Sequence, residues 1–217
     1  MAARVDVLGV GFDRLDLTAA AERIVRRQAA GERTFVITAN PEFVMLTRRD
    51  RELATIAREA DLVVADGTGV LVASRLLGDP LPARVPGRNL VPAVLARLAP
   101  PGASAFLLGA GPGVTERAAD VLARRFPALA IAGTFAGSPG PEEDEPTREL
   151  IRRAAPRLLL VAFGMPAQER WIARNIAQLP SVRVAIGVGG VFDQLAGRVR
   201  LPPAPVHALG FEWLWRL

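Results

Sequence analysis

The chain has 217 residues, half of them apolar, a mean hydropathy of +0.25, and a net charge of +5 carried by arginine with no lysine. With no cysteine and a single histidine, disulfides, thiolate zinc sites, cysteine nucleophiles and multi-histidine metal clusters are excluded. No apolar run is long enough to cross a bilayer and the N-terminus lacks a signal-peptide core, so the expected compartment is the cytoplasm. Arginine's planar fork suits phosphate or carboxylate ligands and an anionic membrane surface. Nucleic acid is disfavoured, because the arginines are spread over many helices and no basic strand is interleaved with aromatics. Pairs such as Arg26-Arg27, Arg124-Arg125 and Arg152-Arg153 read as solvated helix faces.

In chain order, Val5 to Val10 reads as an opening strand, and Asp16-Leu-Thr18 is placed to cap a helix over 19–29. A strand over 34–38 ends in Thr38-Ala-Asn40-Pro-Glu42, where Pro41 opens a helix through Leu46. A helix over 51–60 leads into Asp61-Leu-Val-Val-Ala-Asp66-Gly-Thr-Gly69, a short strand that delivers a carboxylate into a glycine-bounded turn before a helix over 70–77. Breakers at Gly78-Asp-Pro80-Leu-Pro82 and Val85-Pro-Gly87 mark an irregular segment before a helix over 90–98. Pro100-Pro-Gly102 is the clearest candidate boundary, or else a tight connection within one domain. Strands over 105–108, 129–135, 158–163 and 182–188 then alternate with helices over 115–126, 142–154 and 166–178. This alternation predicts an α/β fold, a mostly parallel sheet flanked by helices. It is read as a single domain over 1–217, or as lobes 1–99 and 103–200 meeting at a cleft.

Ligands of open α/β sheets collect at the carboxyl ends of strands, which draws attention to polar residues there. From local sequence, Asp66 is as well explained by capping the next helix as by catalysis. The loop Gly109-Ala-Gly111-Pro-Gly113 follows a strand and opens a helix, so its backbone N–H groups fit a phosphate or pyrophosphate, with a plain tight turn as the alternative. No acidic residue ends the next strand, which argues against a dinucleotide site. In Phe163-Gly164-Met-Pro166-Ala-Gln168-Glu169-Arg-Trp171, Gln168 can meet a ligand, Glu169 can complement the helix N-terminus, and Trp171 is assigned to the core. Gly189, Gly190 and Asp193 close the next strand; Asp193 fits a sugar or base edge, or a cap on the turn into Gln194. The sequence has no Asp-x-Asp pair to hold a divalent ion on a diphosphate, so no metal is expected. His207, among Pro203, Pro205 and Ala208, has no triad partners and reads as a surface or core-edge histidine.

Several motifs, in order, resemble the WecG/TagA/CpsF family: Thr38-Ala-Asn-Pro-Glu42, the 61–69 stretch, Ala73-Ser-Arg-Leu-Leu-Gly78, Gly164-Met-Pro-Ala-Gln-Glu169, Gly187-Val-Gly-Gly-Val-Phe-Asp193, Ala196-Gly-Arg198 and Gly210-Phe-Glu-Trp-Leu-Trp-Arg216. That family, glycosyltransferase family 26, consists of bacterial inverting enzymes. They move N-acetylmannosamine, its uronic acid or glucose from UDP to a sugar on an undecaprenyl-diphosphate carrier. The resemblance implies a Rossmann-like, metal-independent transferase at the inner face of the cell membrane, making teichoic-acid-type or other surface polysaccharides. No cofactor is implied, since the UDP-sugar is a substrate, and oligomeric state is open. Residue by residue it implies Asp66 as catalytic base, Thr38 as an acceptor-pocket residue beside it, Arg84 as the arginine of the irregular loop, Gln168 as the polar residue of the catalytic pocket, and Asp193 in the motif that meets UDP. Asn40, Gly67, Gly109, Gly111, Gly113, Gly164, Gly189 and Gly190, at strand ends and in glycine turns, join Asp193 as the expected substrate-binding residues.

Asn89 stands where the family commonly has aspartate, and Leu201-Pro-Pro-Ala-Pro205 replaces a segment usually written Arg-Ala-Pro-Arg-Trp. Relatives continue into a basic, aromatic membrane-docking tail, which is expected to be absent after Leu217. Two rivals stand beside the transferase reading: a catalytically idle module that binds UDP-sugar or lipid-linked sugar, and a nicotinamide-dependent oxidoreductase built on the Gly109 loop.

Overall fold

A computed structural model describes residues 4–98 and 103–199. Pro100-Pro-Gly102, the 201–205 segment, His207 and the aromatics Phe211, Trp213 and Trp215 lie outside the described residues. Among the described residues, no helix is long and apolar enough to cross a membrane.

The chain opens with a hairpin rather than the single strand expected over 5–10. Strands β1 (Val5–Val7) and β2 (Val10–Phe12) pair antiparallel about Leu8 and Gly9, both at positive φ. A two-residue turn of this kind matches the twist of the strands it joins, and the apolar alternation on either side conceals it in the sequence.

The remaining strands are β3 (Thr34–Ala39), β4 (Leu62–Ala65), β5 (Ser104–Gly109), β6 (Ala130–Phe135), β7 (Leu158–Ala162) and β8 (Val184–Gly187). They form one six-stranded parallel sheet in the order β4-β3-β8-β7-β5-β6. The last strand lies inside the sheet, paired with β3 on one side and β7 on the other. Strands from both halves of the chain therefore share one set of ladders.

The central strands are buried on both faces and read as near-continuous apolar runs such as Leu-Leu-Leu-Val-Ala in β7. One face, with Phe35, Ile37, Val63, Leu108, Leu159 and Val161, packs against the hairpin and helices α2 (Pro41–Thr47), α3 (Arg51–Glu59), α4 (Thr68–Leu76), α7 (Asp144–Ala154) and α8 (Ala167–Asn175). Trp171 of α8 is fully buried there, as expected. The other face, with Val36, Val64, Leu107, Leu160 and Ile186, packs against α1 (Leu17–Ala29), α5 (Gly87–Leu98), α6 (Val114–Arg125) and α9 (Val191–Leu195). Each large side chain fully buried in these layers contributes about 1.5–3 kcal/mol.

Capping follows the sequence closely. The Asp16 side chain accepts the N–H of Ala19 at 2.8 Å, and Asn40 accepts that of Phe43 at 2.8 Å with Pro41 in the first turn of α2. Arg27 departs from its expected solvated role. It pairs with Asp61 at 2.8 Å while Asp61 accepts the N–H of Phe35, so it ties α1 to the amino ends of β3 and β4.

Candidate active site

At the carboxyl edge of the sheet, β3 and β4 are neighbours in register, with Thr38 opposite Val64 and Ala39 opposite Ala65. The N–H of Asp66 continues the pairing to the Ala39 carbonyl at 2.8 Å. The irregular segment returns over this edge, because Val85 N–H bonds the Ala65 carbonyl at 2.7 Å. That contact brings the segment that carries Arg84 to the end of β4. Two residues on, Gly87 opens α5, and its N–H donates to Asp66 Oδ2 at 3.0 Å. The carboxylate thus meets a helix N-terminus 21 residues further along the chain. A Cβ on Gly87 would stand 3.4 Å from Thr38 Oγ1 and 3.8 Å from Asp66 Oδ2, so the glycine backbone lies against both side chains. Thr38 Oγ1 in turn donates to the Gly187 carbonyl of β8 at 3.3 Å.

Gln168 enters from the other side of β8. After β7 the chain turns through Phe163, Gly164 at positive φ and a cis Met165–Pro166 bond, and α8 starts at Ala167. Gln168 Oε1 accepts the N–H of Gly189 at 2.9 Å, and its Nε2 donates to Glu169 Oε1 at 2.9 Å. Gly187 leaves the room for this pair: a Cβ there would be 2.8 Å from Gln168 Nε2 and 3.1 Å from Glu169 Oε1. Glu169, expected only to complement the helix end, is 2% exposed. Burial raises its pKa to about 7, opposed by hydrogen bonds from Gln168 and its own backbone.

The Gly109 loop lies further along the same edge. Gly109 has φ +100, and a Cβ would come within 2.7 Å of the Ala162 carbonyl carbon, so only glycine lets β5 run this close to the end of β7. Gly113 then precedes α6. Arg198, at the end of the described chain, reaches this loop, with Nη1 3.4 Å from where a Cβ on Gly111 would stand. With strands about 4.8 Å apart, the loop on β5 sits roughly 14 Å from the end of β3.

The structure therefore gathers Asp66, Thr38, Gln168 and Gly189 around the ends of β4, β3 and β8. Gly67 stands against Asn40, with a Cβ 3.9 Å from the Asn40 Cβ. The loop from Gly109 to Gly113 forms a separate group with Arg198. Gly164 accepts the N–H of Gln168 at 2.9 Å. Gly190 precedes α9, and Asp193 lies within that helix, not in a turn before Gln194. Two surface hollows, one bordered by Ser104 and Leu158 and the other by Phe35 and Asp61, are at the amino ends of the strands and touch no candidate residue. Gly87, Gly187, Glu169 and Arg198 were not singled out from sequence as members of the site. All four stand in or beside quoted motifs, but only the packing shows what they touch.

The profile of the Glycosyl transferase WecG/TagA/CpsF family matches residues 5–217. The chain belongs to this family. As a WecG/TagA/CpsF glycosyltransferase it is 35% identical to proteins of Staphylococcus aureus strains NCTC 8325, COL and MRSA252 over 219 aligned residues. The alignments cover 99% of this chain and 84% of each relative. Each of those relatives bears the name N-acetylglucosaminyldiphosphoundecaprenol N-acetyl-beta-D-mannosaminyltransferase.

Proposed function

We propose that this chain transfers N-acetylmannosamine from UDP to a sugar carried on undecaprenyl diphosphate, by a single inverting displacement without a metal ion. The observation that carries the reading is the grouping of Asp66, Thr38 and Gln168 at one sheet edge, linked through Gly87 and Gly187. The names of the staphylococcal relatives support the transferred N-acetylmannosamine and the undecaprenyl-diphosphate-linked acceptor; the UDP donor is this reading's own.

Asp66 takes the proton of the acceptor hydroxyl as its oxygen bonds to the anomeric carbon, and the bond from that carbon to the UDP oxygen breaks. The Gly87 N–H holds one carboxylate oxygen and so fixes the orientation of the base. Thr38 and Gln168 position the sugars on either side of it. The departing diphosphate lies toward the Gly109 loop, where backbone amides and the Arg198 guanidinium receive its charge. The separation of roughly 14 Å between that loop and β3 suits a nucleotide-sugar laid along the edge. Arg84 faces the acceptor diphosphate, and the protein works peripherally at the inner face of the membrane that holds this lipid.

The test is a panel of UDP-sugars offered with a short-chain lipid-diphosphate N-acetylglucosamine acceptor. Transfer from UDP-N-acetylmannosamine that disappears in Asp66→Asn is the expected result. Turnover of the variant at the wild-type rate would overturn the assignment of the base. UDP affinity with no transfer from any donor would favour an idle binding module.

A further inference from the structure

The first turn of α8 carries a buried acid that the transfer chemistry leaves without a role. Glu169 Oε1 accepts from Gln168 Nε2, but its Oε2 is buried with no hydrogen-bond partner. An orphaned buried carboxyl oxygen costs free energy, so it persists where the group does something else. The other oxygen, Oε1, is the link between Gln168 and the sheet. Gln168 is held at both ends, its carbonyl by Gly189 N–H and its amide by Glu169, and the missing side chain of Gly187 makes room for the pair.

We propose that Glu169 is a positioning residue of the transfer site: by accepting one N–H of Gln168 it fixes the amide orientation and leaves the second N–H directed to substrate. The inference rests on the transferase reading of the same site. The neutral acid can accept this bond through its carbonyl oxygen with the proton on Oε2, so the bond does not require ionisation. The raised pKa, about 7 through burial, keeps the group neutral in mildly acid solution.

Among the described residues of the elements packed on α8, the charged groups are engaged elsewhere. On α8 itself Arg170 pairs with Asp50 and Glu52 beside α3, and Arg174 pairs with Asp144 of α7. Arg148 of α7 bonds Asn175 and Glu145, and β7 and β8 contain no ionisable side chain. Ionisation therefore leaves an uncompensated buried charge against Gln168 and Gly187, which water must enter to solvate. The bond from Gln168 is itself stronger to the carboxylate, but the water that enters competes for the amide and loosens its orientation.

The experiment compares wild type, Glu169→Ala and Glu169→Gln across pH 6 to 8.5, with kcat and KM measured separately. Expected are a drop of tenfold or more in kcat/KM for the alanine variant and recovery of most of it by glutamine, which keeps the accepting oxygen and cannot ionise. Expected too is a wild-type to Glu169→Gln ratio that falls through a midpoint near 7. A ratio constant with pH, or an alanine variant as active as wild type, overturns the proposal. Infrared difference spectra of the intact protein read the same titration without turnover. The protonated-carboxyl band absent from Glu169→Gln should titrate near pH 7, and its midpoint should rise in Gln168→Ala, which removes a bond favouring the ionised form. An unmoved midpoint overturns the coupling. Wild type without transfer at any pH would instead overturn the transferase reading, and the spectra would still decide the link between Glu169 and Gln168.

Discussion

Asp66 Oδ2 and the backbone N–H of Gly87 are joined by a 3.0 Å hydrogen bond that fixes the start of α5 to the end of β4. The contact places a helix entrance, a carboxylate and the Thr38 hydroxyl in one cluster. Asp66→Asn is isosteric and retains an acceptor for Gly87, so the fold should persist. Transfer should fall by at least a thousandfold, because the amide takes no proton, while calorimetric UDP affinity should stay within about threefold.

Gly187→Ala tests the notch on β8. The added methyl would sit 2.8 Å from Gln168 Nε2, so the pair with Glu169 must shift. Overpacking of this kind costs about 1–3 kcal/mol. Denaturant unfolding should show that loss, together with a larger fall in kcat than in UDP affinity. Unaltered kcat in a folded variant would count against any role for Gln168.

Stability should itself depend on pH through Glu169. Its unfolded-state pKa is the ordinary 4.5 and its folded value about 7, so between these the folded state binds more protons. The favourable contribution is fully present below pH 4.5 and is lost as pH rises through 7. The difference amounts to about 3 kcal/mol. Urea unfolding of wild type at pH 5 and pH 8, set against the same pair for Glu169→Gln, should isolate it.

Arg198→Ala should weaken UDP binding about tenfold and reduce its dependence on ionic strength, since a guanidinium beside Gly111 interacts with diphosphate mainly through charge. Isothermal titration at two salt concentrations reads both effects. Equal affinity at low salt would remove the diphosphate from this loop.

Much of the fold was legible because parallel strands buried on both faces announce themselves as apolar runs, and Asp16, Asn40 and Pro41 mark helix starts by chemistry that acts within three residues. The Leu8–Gly9 turn was hidden because its flanks continue the same apolar alternation. The candidate residues were visible as polar groups at strand ends, but their grouping was not, since it depends on β8 pairing with β3. That pairing is a choice of sheet order, which no local pattern records. Glu169 looked like any acid in a first helical turn, and only burial among uncharged strands separates it from the exposed Glu52 of α3.

The central place of β8 sets an order of events during synthesis. Before it emerges, β3 with β4 and β7 with β5 and β6 have no common ladder. Thr38 then lacks the Gly187 carbonyl, which follows it by 149 residues. Closing so distant a contact is slow compared with forming the local βα units. Until β8 is synthesised, the edges of β3 and β7 that it joins have no partner in the described sheet, and unpaired edges of this kind are open to pairing with other chains.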